Sequence, residues 1–438
     1  MDPITRLSAL GAAGAGGGNT YFFDRIRYGS SGTNYAAIQG NYVDSDGNLY
    51  DVGYIVDLTN TIGFVIKRDA EGVIQWSRTL SSTGKNVQFY DVASDGTYLY
   101  CVGSQDINNS TGGCLVVVYD FNGTLQWQKE FHASSTSVGA FSNYIAVDSS
   151  SNIFLSVREA STYTPVGVIK LNSSGVVQWG KGYYYAPSPV YNYNERYDIC
   201  IDSNDNILVN LRIHSGTSLR TSAGLVKLNN SGTLQWDLVF FSNYGFPNFD
   251  YGFGVDTDSN DNIYWGLNYD ANGHYIAKFN SSGVLQSNIE VGTGSVYPKT
   301  YVDYEDNVWT TGQGFLQSFD TSLSNNFSRK FGSGGQLYYG KPFRGSGSDG
   351  IYVSNKNNNI ASYRGYTFYL PADGSLTGTY VSPTYGTFNY EAYSETIGAG
   401  TSYVDLGSLT EITWSPVATT TTNTDASDTF TNEPFFIG

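Results

Sequence analysis

Charge is scarce in this chain. Asp, Glu, Lys and Arg make up 14% of its 438 residues, against roughly a quarter in an ordinary soluble protein, so hydroxyls, amides and phenols must cover most of the surface. Cysteine occurs three times, histidine three times and methionine once. Cys101, Cys114 and Cys200 are an odd, sparse set that cannot form the disulfide framework of so long a chain. A single Cys101–Cys114 bridge fits their placement on either side of a polar loop, but two reduced, buried thiols are the favoured reading. His132, His214 and His274 are widely spaced, none in a metal-ligand pair or beside a nucleophile motif, so neither zinc hydrolysis nor a Ser-His-Asp triad is indicated.

Long apolar runs are also missing. No stretch approaches about eighteen apolar residues, which leaves no candidate transmembrane helix. The N-terminus does not read as a signal peptide, because Arg6 follows Asp2 and the segment 7–15 is short and glycine-rich. The expectation is synthesis in the cytoplasm without a secretory leader. A formal charge of −16 with no basic stripe opposes binding to a nucleic-acid backbone. Helix-forming runs of Ala, Leu, Glu and Lys are absent, while 51 glycines and 37 tyrosines stand among Ser, Asn and Thr. That pattern is all-β.

What is present is a repeat. Gly-x-aliphatic-Gln-Trp ends at Trp76, Trp127, Trp179 and Trp236, and a fifth copy from Gly283 ends in Ser287 instead. Weaker echoes follow at 323–327 and 374–376, and the period is about fifty residues. A second phrase keeps the same beat: an Asp, a few small polar residues, then an apolar pair, beginning near Asp44, Ser94, Asp148, Asp202, Asp258, Tyr304 and Ser348. Seven copies predict seven units of four short strands. Such units are propeller blades, whose sheets pack face to face around an axis. The four tryptophans then lie on outer strands as structural fillers between blades.

The sequence therefore predicts an all-β fold: a seven-bladed β-propeller with four-stranded blades over 19–381, preceded by a Gly/Ala-rich arm, 1–18, and followed by a C-terminal β segment and polar tail, 382–438. The stretch 21–28 reads as the outer strand of the last blade, closing the ring and hiding both sheet edges. The rival is closure by 376–381. Beyond 382, a strand pair is expected around 403–406 and 411–414.

The first-to-second and third-to-fourth strand turns are short and uniform, so length variation falls on the opposite face, in 105–113, 183–196, 214–222 and 241–250. Aromatics gather there: Tyr183, Tyr184, Tyr185, Tyr191 and Tyr193 in one loop, Tyr244, Phe246 and Phe249 in the next. Rigid rings with polar tips suit sugar or protein contact, and packing of these loops on one another is the competing reading. The Asp-x-Asp/Asn-x-Asn loops resemble calcium ligand sets, but the same residues are what a tight turn requires and no Glu completes a cage. No paired carboxylate is singled out for glycoside chemistry. No enzyme, cofactor or metal is expected.

At IAVDSSSNIFLSV followed by VGVIKLNSSGVVQWGK (145–157 and 166–181) the sequence resembles the seven-bladed β-propeller repeat family of SBBP type, and more distantly quinoprotein-type repeats with an outer-strand Trp. That resemblance implies a binding or scaffold module, and the quinone pocket has no match here. The opening MDPITRLSALGAAGAGGG before TYFFDRI resembles tailed-bacteriophage virion structural proteins. It implies an arm that anchors through Ile4, Leu7 and Leu10 to other virion proteins in tail or capsid. By it the propeller would face outward toward a host-surface glycan or protein, as part of a symmetric homo-oligomer. A bacterial exported propeller binding glycans or proteins, and a polysaccharide-degrading propeller enzyme, are the alternatives.

Overall fold

The computed structural model describes strands and tight turns between 22 and 437. Outside the described residues lie 1–21, 29–34, 107–111, 133–139, 160–165, 185–197, 216–219, 243–249, 293–298, 332–336, 346–349, 358–363 and shorter pieces of the connectors and C-terminal segment. Seven antiparallel sheets form, one per repeat. Blade 1 is Tyr35–Val43, Leu49–Asp57, Asn60–Arg68 and Ile74–Ser81, from the inner to the outer strand. Blade 3 is Ala140–Val147, Ile153–Glu159, Val166–Leu171 and Val177–Tyr184, close to the strands expected from its sequence. Blades 2, 4, 5 and 6 begin at Val87, Ile199, Asp250 and Lys299.

Among the described residues, the inner part of blade 7 consists of two short pieces, Leu337–Tyr338 and Pro342–Phe343, followed by Gly350–Asn357 and Arg364–Pro371. Its outer strand is the N-terminal Phe22–Tyr28, antiparallel to Arg364–Pro371 with Phe22 opposite Tyr369 and Ile26 opposite Gly365. The first strand of the chain thus closes the ring. The rival closure fails, since Gly378–Ser382 joins the sheet of blade 6 instead.

The core is a series of blade junctions rather than one centre. Tyr50, Val52 and Val65 of blade 1 pack on Val87, Phe89 and Val117 of blade 2; Tyr264 and Ile276 of blade 5 pack on Val302, Val308 and Phe319 of blade 6. Val43 and Leu49 meet Tyr352 and Tyr369 across the closure. Middle strands are covered on both sides, which is why CLVVVY (114–119) is continuously apolar and fully buried instead of alternating. Burial of such a side chain contributes about 1.5–3 kcal/mol.

The outer tryptophans join the junctions by their polar edge. Trp76, Trp179 and Trp236 donate from Nε1 to the carbonyls of Phe121, Asn230 and Ser281 in the next blade, at 3.0, 3.3 and 3.2 Å. A third-strand lysine converges on the same oxygen each time: Lys67, Lys170 and Lys227 at 3.5, 3.1 and 3.1 Å. Where Ser287 replaces tryptophan, Lys278 reaches the equivalent carbonyl of Thr321 at 2.7 Å, joined there by the Tyr264 hydroxyl at 3.1 Å.

The C-terminal segment has a part the repeat did not reveal. Its strands circle the ring against the order of the blades: Gly386–Ala392 on blade 6, Gly398–Ala399 on blade 5, Tyr403–Asp405 on blade 4, Thr410–Trp414 on blade 3, Val417–Thr420 on blade 2, Thr424–Ala426 on blade 1 and Phe430–Pro434 on blade 7. Phe436–Ile437 then returns to pair with Gly378–Ser382. The strands expected around 403–406 and 411–414 exist but do not pair with each other. Each instead extends a blade, with Val404 opposite Phe241 and Ile412 opposite Gly182. This belt supplies hydrogen bonds to outer edges that would otherwise be open to another chain.

Candidate functional site

The disc has two unlike faces. On one, the first-to-second strand turns are built by an Asp side chain that folds back over its own loop. Asp202 Oδ1 accepts the backbone N–H of Asn204 and Asn206 at 3.0 and 2.9 Å, and Asn206 Nδ2 donates to Asp202 Oδ2 at 2.9 Å. Asp44, Asp148, Asp258 and Asp303 repeat the arrangement, so these carboxylates serve as turn formers. Among the described residues no group of three His, Cys, Asp or Glu gathers as a metal site would require.

Neighbouring turns are latched to one another. Ser149, Ser203 and Ser259 donate from backbone and hydroxyl to Asp205, Asp261 and Asp306 of the following blade; the backbone bonds are 3.1, 2.9 and 2.8 Å. Each hydroxyl bond is 2.5–2.9 Å. At blade 6 the serine gives way to Tyr304, against which the Arg344 guanidinium stacks at 4.8 Å. Arg344 also bonds Asp303 at 3.0 Å and Glu305 at 2.6 Å, and these carboxylates raise its pKa against the opposing effect of burial. This turn face is rigid and acidic.

The opposite, loop face holds the connectors of unequal length. Of the residues singled out there, Tyr183 is misplaced by the sequence reading: it ends the outer-strand pattern of blade 3, pairs with Val166, and is 2% exposed among Tyr144, Phe154 and Ile199. It is a core residue. Tyr184 closes the same strand opposite Thr410 of the belt. Tyr185, Tyr191, Tyr193, Tyr244, Phe246 and Phe249 lie outside the described residues, as do Ile4, Leu7 and Leu10 of the arm.

The structure brings together a group the sequence reading missed, around the axis. Four residues before each turn Asp, blades 1–6 carry Gly40, Asp91, Tyr144, Asp198, Gly254 and Lys299. The inner strands are sheet edges, with N–H groups that need acceptors. Asp91 Oδ2 accepts Ile145 N at 3.2 Å, and Asp198 Oδ2 accepts Val255 N at 3.3 Å, each stitching one inner strand to the next. Asp256 Oδ2 does the same for Val302 N at 3.1 Å.

Lys299 is 1% exposed. It donates to Phe253 O at 2.8 Å and to the Tyr144 hydroxyl, with its ammonium 4.1 Å from the Tyr144 ring centroid. This bridge runs from blade 6 to blade 3, joining inner strands that are not neighbours in the ring. Only the alternation of Asp, Gly, Lys and Tyr at one repeat position signals it, and no periodic pattern marks it.

The three thiols and two of the histidines, His132 and His274, are withdrawn from solvent. The three thiols are buried and unbridged; burial holds Cys101 well above the usual thiol range and pushes Cys114 up to about 12. His274 is fully buried, and desolvation lowers its pKa to about 3. His132 is buried 3.6 Å from Glu130.

In comparison with known proteins, no family model matches the sequence and no curated protein matches it. Solved structures do match in shape. An ulvan lyase, titled as a new family of polysaccharide lyase bound to a -[GlcA(1-4)Rha3S]- ligand, aligns at TM-score 0.50 and 10% identity over 81% of this chain and 95% of its own. A protein of unknown function from Dyadobacter fermentans aligns at 0.48 and 10% over 79% and 98%, and Sqt1 from Chaetomium thermophilum at 0.46 and 10% over 78% and 96%. At such identities the likeness is one of fold alone, and the fold is a seven-bladed β-propeller.

Proposed function

We propose that this chain is a non-enzymatic structural protein of a tailed-phage virion, held to the particle from its turn face and using its loop face for host-surface recognition or assembly contacts. The observation that carries this reading is the opposition of the two faces. The chain coming from the arm enters blade 7 at Phe22, whose partner Tyr369 stands beside the turn that starts at Pro371. Phe22 therefore stands on the latched, uniform side, which favours attachment from that face. The connectors that differ from blade to blade, such as 106–112, 185–198 and 243–249, leave from the other. A recognition surface tolerates variation of this kind when a rigid scaffold presents it.

The double closure supports the same reading. A particle protein must persist without cellular maintenance, and this one has no disulfide among its three cysteines. The N-terminal strand and the belt supply the mechanical closure that disulfides supply elsewhere.

The test is mass spectrometry of purified virions from the phage encoding the chain, combined with electron microscopy of particles labelled by antibodies against 185–197. Peptides of the chain in the particle and label on its outer side support the proposal. Absence from particles together with presence in a bacterial exported fraction would replace it by the exported-propeller reading. Shortening of capsular polysaccharide by the purified chain would replace it by the enzymatic one.

A further inference from the structure

Blades 5 and 6 meet through an apolar layer in mid-junction and a polar layer on its loop side. Side chains on one strand alternate between faces. Thr300, Thr310 and Gln317 therefore share the face of Val302, Val308 and Phe319, which pack on Tyr264 and Ile276 of blade 5. His274 shares the face of Ile276 and stands opposite Asn268 in register. Its ring lies 5.7 Å from that of Phe315, the strand neighbour of Gln317. All five polar residues are at most 4% exposed.

These residues hold six atoms with no hydrogen-bond partner among the described residues: His274 Nδ1 and Nε2, Asn268 Oδ1, Thr300 Oγ1, Thr310 Oγ1 and Gln317 Oε1. The Gln317 amide nitrogen is engaged by Ser328 Oγ at 3.2 Å, which leaves its carbonyl oxygen as the open acceptor. A neutral imidazole offers one donor and one acceptor, each hydroxyl a donor, and the two amide carbonyls accept. The set mixes donors and acceptors and contains no ionised group, so a charged guest would be stranded without a counter-charge. Water, which both donates and accepts, matches it.

We propose that the junction of blades 5 and 6 encloses a permanent cluster of about two structural waters, at the usual three or so hydrogen bonds each, held by His274, Asn268, Thr300, Thr310 and Gln317. The cluster is part of the scaffold beneath the loop face. It makes this junction a hydrated hydrogen-bonded joint, with two imidazole nitrogens, two hydroxyls and two amide carbonyls converging in one buried layer.

A crystal structure of the full chain that resolves waters tests this. Density within about 2.7–3.2 Å of a His274 nitrogen and of the Thr310 hydroxyl is expected. Direct bonds among the five side chains with nothing between them would overturn the proposal, and so would a feature larger than water. Nitrogen-15 NMR of the histidine rings gives an independent reading: a neutral His274 with both nitrogens hydrogen-bonded and a cross-peak to water, lost in Thr310→Val. A neutral ring without contact to water contradicts it.

Discussion

The indole of Trp179 lies so close to Gly232 of the following blade that a Cβ at 232 would fall 3.0 Å from ring carbons Cδ2 and Cε2. Gly232 also has φ +81, a conformation costly for any side chain. The two ends of the repeated phrase are thus halves of one contact: the glycine of each copy receives the tryptophan of the copy before. Trp76 with Gly123, Trp127 with Gly175 and Trp236 with Gly283 repeat it. The exception explains itself. Ser287 lacks the ring, and the next blade has Leu323 at the glycine position, with φ 66 and its side chain buried against Val308 and Phe319.

This exchange predicts strong coupling between positions 287 and 323. Ser287→Trp alone should destabilise by about 1–3 kcal/mol through overpacking, and Leu323→Gly alone by about 2–4 kcal/mol through loss of a buried side chain, less the relief of a left-handed leucine. The double variant should recover about 1–3 kcal/mol relative to the sum. Chemical denaturation of the four proteins measures it; simple additivity would show that the two sites do not share a space.

The belt predicts a truncation phenotype. A chain ending at 382 keeps all four strands of every blade but opens the outer edges that Gly386–Ala392 through Phe430–Pro434 cover. It should retain a β-type circular dichroism spectrum, melt at lower temperature and self-associate through its edges. Size-exclusion chromatography at several concentrations checks this. A truncated chain that stays monomeric with an unchanged melting temperature would show the belt to be ornamental.

The ring was legible in the sequence because its signals are local. An Asp turn needs its Asp and Asn four residues apart, and the Gly–Trp contact recurs at every junction that uses it. The belt was not legible, because its strands are two to seven residues long and join through backbone hydrogen bonds that ask little of side chains. The axial group escaped for another reason: Asp91 and Asp198 occupy a repeat position that elsewhere holds Gly40, Gly254, Tyr144 or Lys299, so no residue type repeats. Tyr183 was assigned to a loop because it opens a run of three tyrosines, and its pairing with Val166 places it in the outer strand instead.

His274 sets a pH dependence. Its pKa in the fold, about 3, lies below its unfolded value of about 6.5, so between these limits the unfolded chain binds the extra proton. Stability is therefore full above about pH 6.5 and falls as pH is lowered toward 3, by up to about 1.4 kcal/mol per pH unit. The residues facing the ring, Asn268, Thr310 and Phe315, are uncharged and do not offset it. Denaturation midpoints from pH 7 to 5 should show this slope in the native chain and a flatter one in His274→Gln. Equal slopes would mean that His274 is protonated in the fold.

At the axis, Asp198→Ala leaves the N–H of Val255 without its acceptor in a buried setting, at a cost of about 1–3 kcal/mol. Asp198→Asn keeps a carbonyl oxygen in place and should lose less. Thermal melts rank the two, and equal losses would show that the carboxylate is not acting as that acceptor.

The opposition of faces is tested most directly by site-specific labelling in the native assembly. The native thiols are buried, so an introduced cysteine is the only reactive one. Val176, 52% exposed on the turn face, and Ser188, in the 185–197 connector, are the two sites. With a membrane-impermeant maleimide, Val176→Cys should label in the free protein and be protected in the assembled particle, while Ser188→Cys labels in both. Protection of Ser188→Cys with free labelling of Val176→Cys would place attachment on the loop face and contradict the account.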